Sequence, residues 1–120
     1  MRAAKFSWDD MPAEQVTEHF SRKMVVGENE MLCWLELRPG CRVPRHSHIH
    51  EQISHVLRGR LRFEVDGEAV EVGPGETLLI PSHVPHSAEV IGDDTVLDYD
   101  IFSPIRRDWV EGTDAYLRKK

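Results

Sequence analysis

Long apolar runs are missing from these 120 residues. The opening stretch, MRAAKFSWDDMPAEQVTEHF, has nothing of the length a signal peptide or membrane span requires, so the sequence predicts a cytoplasmic protein with no membrane partner. Basic charge is scarce as well. The formal net charge is -6, and pairs such as Arg22-Lys23 and Arg106-Arg107 do not make the basic face that phosphate binding needs, which excludes nucleic acid. Cysteine is limited to Cys33 and Cys41, outside any CxxC spacing, so the chain carries neither a disulfide framework nor a zinc knuckle. Reduced, structural thiols are expected. Low-complexity segments and domain linkers are absent too, and the 40% hydrophobic content suits one globular domain over residues 1–120.

What is present is a series of short apolar runs broken by turn signals, the pattern of an all-β barrel or sandwich. The runs are 31–37, 53–57, 60–65, 68–72, 76–80 and 95–102. Between them lie Pro39-Gly40, Arg58-Gly59, Asp66-Gly67, Gly73-Pro74-Gly75 and Gly92-Asp93-Asp94. Asp66-Gly67 predicts a two-residue hairpin, because such turns need positive φ and glycine supplies it without strain. The first two dozen residues and the last dozen are less strand-like, and suit short helices or an added edge strand.

The stretch HSHIHEQISHVLRG, 46–59, holds four histidines. On a strand, side chains at i and i+2 share a face roughly 6.5 Å apart, so His46 and His48 can reach one ion. His50 has the same parity but lies roughly 13 Å from His46 on a straight strand, so it shares a site with it only if the chain bends. A third ligand has to come from beyond a bend or from another strand, and IPSHVPH, 80–86, offers His83 and His86. His50 and His55 suit rim or hydrogen-bonding positions, and His83 a loop near the pocket mouth. Arg60 and Arg62 share a face that is either solvent or cavity.

Gly40-x5-His46-x-His48-x3-Gln52-x6-Gly59 resembles the first motif of the cupin superfamily, with Gln52 where most members carry Glu. Gly75-x5-Pro81-x-His83-x2-His86 resembles the second, with His83 replacing its second Gly and Val90 its Asn. The motifs occupy about 40–59 and 75–90. This resemblance implies a double-stranded β-helix whose divalent metal is held by His46, His48, Gln52 and His86; the six residues before Gly59 select Gln52 over Glu51. Nitrogen and oxygen donors without thiolate suit Zn, Ni, Mn or Fe. With no carboxylate among them, the ion keeps its full charge and attracts a small anionic or carbonyl-containing substrate.

Downstream, Asp100-x-Phe102-x-Pro104-x-Arg106 resembles a small cupin family of pectin and alginate breakdown that opens 4,5-unsaturated uronates to linear keto sugars. That resemblance implies active-site roles for Asp100, Phe102 and Arg106 and extends to the Tyr-Leu-Arg ending. From the residues themselves, Leu97, Tyr99 and Ile101 share one face of the strand, and Val96, Asp98, Asp100 and Phe102 the other. Two carboxylates and an aromatic suit a wet cavity, where Asp100 can act as general acid or base and Arg106 can clamp a carboxylate. The apolar outward set needs covering, which predicts a homodimer. A cupin dioxygenase, a polyketide cyclase and a non-catalytic binding module are the alternative functions.

Overall fold

In the computed structural model the structure describes residues 2–118, and ten strands dominate it. In chain order they are β1 (Glu14–Thr17), β2 (Phe20–Val26), β3 (Met31–Leu37), β4 (Arg42–His46), β5 (Glu51–Arg58), β6 (Arg60–Val65), β7 (Glu68–Val72), β8 (Thr77–Ile80), β9 (His86–Ile91) and β10 (Val96–Ser103). They form a six-stranded sheet of order β1-β2-β3-β10-β5-β8 and a four-stranded sheet of order β4-β9-β6-β7. All pairings are antiparallel, as a double-stranded β-helix requires. Among the described residues, no helix is long and apolar enough to cross a membrane.

Alternation decides which side chains meet between the sheets. Met31, Cys33, Leu35 and Leu37 of β3 are buried while Leu32, Trp34 and Glu36 point away, and Leu61 and Phe63 of β6 supply the facing sheet. Arg60 and Arg62 lie on the exposed face of β6, which settles their side as solvent. Asp66 and Gly67 join β6 to β7 with φ of 50° and 86°, the paired positive values of a type I′ turn. Gly59 is constrained more tightly: at φ 78°, a Cβ there would sit 2.9 Å from Val96 Cγ2 and 3.1 Å from the Thr95 carbonyl oxygen. Cys33 and Cys41 are free and buried.

The termini form the short helices and edge strand expected of them, with β2 as one strand more. The N-terminal region forms β1 and β2 as well as a 3-10 turn over Trp8–Asp10. Trp8 lies across the outer face of the large sheet, with ring centroids 5.4 Å from Trp34 and 6.0 Å from Tyr99, so part of the outward apolar set is covered by the chain itself. At the other end, α1 (Arg107–Glu111) and a 3-10 turn (Ala115–Arg118) form a cap that contacts β1 and β4, the edge strands of the two sheets. Arg22 of β2 pins that cap: buried itself, it pairs with Asp114 at 2.7 Å and Glu14 at 2.9 Å, and its guanidinium stacks 4.6 Å from the Trp109 ring centroid. Leu117 and Trp109 complete the core from the cap.

Candidate metal centre

β4, β9, β5 and β10 bring their site residues to one end of the barrel. His46 is the last residue of β4, His86 the first of β9, and the two are register partners. The register shifts between Val43 and His46, a bulge of the kind that re-aims a side chain near a site. His48 lies beyond the strand end, in the bend that leads to β5, and Gln52 is the second residue of β5. Ring centroids are 5.4 Å apart for His46–His48, 4.3 Å for His46–His86 and 5.0 Å for His48–His86. One nitrogen from each of the three lies within 4.8 Å of the others, a spacing that can hold a metal ion.

The second nitrogen of each ring decides the tautomer. Nδ1 of His46 donates to the Pro44 carbonyl at 2.8 Å, Nδ1 of His48 to the His50 carbonyl at 3.0 Å, and Nδ1 of His86 to the Val84 carbonyl at 2.9 Å. A carbonyl can only accept, so each Nδ1 carries the hydrogen and each Nε2 keeps its lone pair for a ligand. Burial holds the rings neutral, pulling His46 down to about 4 and His48 to about 3, and lowering His86 as well. The Nε2 of His86 is buried with no hydrogen-bond partner.

Gln52 joins this group through its amide oxygen. Its Nε2 donates to Ser54 Oγ at 3.0 Å and Asp100 Oδ2 at 3.2 Å, which turns Oε1 toward His48 Nε2 at 3.2 Å. Two lone pairs then face each other at hydrogen-bond distance with no hydrogen between them. A cation between them relieves that repulsion, so the donor set fits a divalent ion.

Behind Gln52 the expected cavity face is present but nearly closed to bulk solvent. Asp98 and Asp100 are 2% and 4% exposed, and burial raises the pKa of both. Asp98 is pushed well above the usual carboxylate range, by burial first and then by the charge of Asp100. Its proton is shared with Asp100, which also bonds Ser54. Apart from that shared proton, Oδ1 of Asp98 and Oδ1 of Asp100 have no hydrogen-bond partner. Arg106 is buried rather than on the surface. Its Nε and Nη2 bind both Asp108 carboxylate oxygens at 3.0 and 2.7 Å, Nη2 also donates to Tyr116 Oη at 2.6 Å, and the guanidinium sits 5.0 Å from the Phe102 ring centroid. Phe102 stands edge-on to His48 at 5.8 Å. These groups line a chamber of about 40 Å³.

The other histidines lie outside the cluster. His50 turns toward Phe102 and bonds the Ile105 backbone, His55 bonds Thr77 Oγ1 at 2.8 Å on the outer sheet face, and His83 is in the 81–85 loop at φ 67°, its backbone N–H donating to the His48 carbonyl. Ser54, Trp109 and Tyr116 escaped the sequence reading. Ser54 had a signal, sharing parity with Gln52 on one strand; the two cap residues had none beyond the Tyr-Leu-Arg ending.

In the metal-free protein, the His46 and His48 rings should remain neutral to about pH 5 by NMR, since their pKa values are lowered to about 4 and about 3. Unfolded histidine protonates near about 6.5, so each ring contributes stability that is full above that pH and lost as pH falls toward 4. Ring titration near 6.5 in the folded protein would contradict this.

Comparison with known proteins places this geometry. The cupin domain profile matches residues 33–102, which include both motifs as far as Phe102. KdgF from Halomonas sp. superposes with a TM-score of 0.83 at 26% identity, over 90% of this chain and 99% of that one. An RmlC-like cupin from Shewanella frigidimarina superposes with a TM-score of 0.81 at 28% identity, over 89% and 96%. The polyketide synthase CurC of Streptomyces cyaneus is 34% identical over 59 residues; the match spans 48% of this chain and 38% of that relative's length. With a profile match over more than half its length and the double-stranded β-helix around its histidine cluster, the chain belongs to the cupin family.

Proposed function

We propose that the chain binds one divalent ion through His46, His48, Gln52 and His86 and opens a small unsaturated uronate to its linear keto form. The observation that carries the metal assignment is the Nε2–Oε1 approach of His48 and Gln52, beside the partnerless Nε2 of His86. Zn, Ni, Mn and Fe all suit these donors, and a bound ion of this charge supplies Lewis acidity toward a substrate oxygen.

The protein's own residues then handle the proton and the carboxylate. Asp100, buried and hydrogen-bonded by Asp98, accepts the hydrogen of the ring hydroxyl at the anomeric carbon. The bond between that carbon and the ring oxygen breaks as an aldehyde forms, and the enol released takes a proton at the former vinyl carbon to become the ketone. Nothing is added or lost, so no oxidant is needed. Asp98 hydrogen-bonds Asp100 and steadies its charge. Arg106, held cationic by Asp108, attracts the substrate carboxylate, and Phe102 fixes the positions of His48 and the guanidinium. A uronate ring is larger than the chamber, so binding requires the enclosing side chains to part.

The Asp100-x-Phe102-x-Pro104-x-Arg106 resemblance and the near full-length similarity to KdgF support this reading. A polyketide-cyclase activity is the second reading, favoured by Phe63, Phe102 and Trp109 in the chamber wall and consistent with the partial match to the polyketide synthase CurC. The buried free thiols suit a reducing cytoplasm.

We also infer a homodimer. Val25, Leu32, Ile101, Ile53 and Leu79 are successive register partners across β2, β3, β10, β5 and β8, forming an apolar row on the outer face beside the Trp34–Tyr99 pair that Trp8 covers. Ile101 and Leu79 are 41% and 55% exposed, and a second copy meeting this face about a two-fold axis would bury both rows. Gel filtration should give a dimer at micromolar concentration, and Ile101→Lys a monomer; a monomeric wild type contradicts the inference.

Under anaerobic conditions, the metal-loaded protein should accelerate loss of the ring vinyl NMR signal of a 4,5-unsaturated galacturonate. Asp100→Asn should lower that rate about 10²-fold or more while retaining the ion. No acceleration by fully loaded wild type would remove the uronate reading.

A further inference from the structure

The cap places Tyr116 in the chamber, and no step above uses it. Its ring stacks on His46 with centroids 4.5 Å apart. Its hydroxyl oxygen accepts from Arg106 Nη2 at 2.6 Å and from Trp109 Nε1 at 3.1 Å. Guanidinium and indole nitrogens can only donate, so the acceptor capacity of the phenol is filled and only its own hydrogen is left to give. No acceptor for that hydrogen stands among the described residues.

Arg106 is in a matching state. Asp108 and Tyr116 take Nε and Nη2, and Nη1 lies outside those bonds. Because the two side chains are bonded to each other, their spare donors are neighbours, and both residues line the chamber with His46, His86 and Asp100. Two adjacent donors, one of them cationic, are best satisfied by an anionic group with two acceptor oxygens. A carboxylate has that form; an ester or amide loses the charge and half of the match.

We propose that Tyr116 is a specificity-determining residue: its phenolic hydrogen and Arg106 Nη1 together receive the carboxylate of the ligand, selecting acids over their esters. The inference rests on the uronate reading for the sugar, and on the two donors alone for the carboxylate.

The test is calorimetric titration of the metal-loaded full chain with D-galacturonate, its methyl ester and acetate, in wild type and Tyr116→Phe. A hydrogen bond to a charged group is worth enough that both acids should bind about tenfold or more weakly to the variant. Ester affinity should fall clearly less than that of either acid, and ion content should be unchanged, which also reports an intact fold. In wild type labelled at tyrosine ¹³Cζ, acetate should shift the Tyr116 resonance and leave that of Tyr99, on the outer sheet face, in place. Equal weakening for acid and ester, no weakening, or wild type that binds neither acid would overturn the inference. Tyr116-dependent acetate binding without galacturonate binding would keep it and remove the uronate reading instead.

Discussion

Three imidazole N–H groups bonded to backbone carbonyls hold the centre of this protein in place. Pro44, His50 and Val84 supply those carbonyls, and all three lie where the chain is turning: inside the β4 bulge, at the end of the bend after His48, and in the loop before β9. Each bond fixes a ring's tautomer and direction together, so three lone pairs point inward before any ion arrives. A site organised in this way loses little conformational freedom on binding, and local backbone geometry is thereby tied to chemistry.

Around it the interior is polar yet nearly closed. Gln52 links the histidines to Ser54 and Asp100, Asp100 shares a proton with Asp98, and Asp108 balances the buried Arg106. Each of these groups would be costly alone in an apolar core, and pairing makes the set tolerable. Of the orphans that remain, His86 Nε2 and the Oδ1 atoms of Asp98 and Asp100 lie on residues of the chamber wall, where an ion or ligand can satisfy them.

Much of this was legible in the sequence, and what was not has physical reasons. The six apolar runs became strands within one or two residues, because alternation over a half-buried sheet leaves a plain signal. β10 showed its faces in advance: Asp98, Asp100 and Phe102 are inward, Leu97, Tyr99 and Ile101 outward. β4 and β9 went unseen although they carry His46 and His86; Pro44 and the bulge interrupt the first, and the second is only partly buried along most of its length. His46 and His48 meet as their i, i+2 spacing suggests, but the pair straddles a strand end, and the bend that brings His48 in also carries His50 toward Phe102. The cavity expected beside Asp98 and Asp100 is there but nearly closed, because Trp109 and Leu117 wall it off from the C-terminal cap, and no local pattern in the last dozen residues reveals where they dock.

The central claim is that His46, His48, His86 and the amide of Gln52 share one ion. X-ray absorption at the metal edge of the loaded protein tests it directly. A shared ion gives a first shell of nitrogen and oxygen only, with outer-shell scattering from three imidazoles, and a loss of one oxygen scatterer in Gln52→Ala. Sulfur in the first shell, or fewer than three imidazoles, would contradict it.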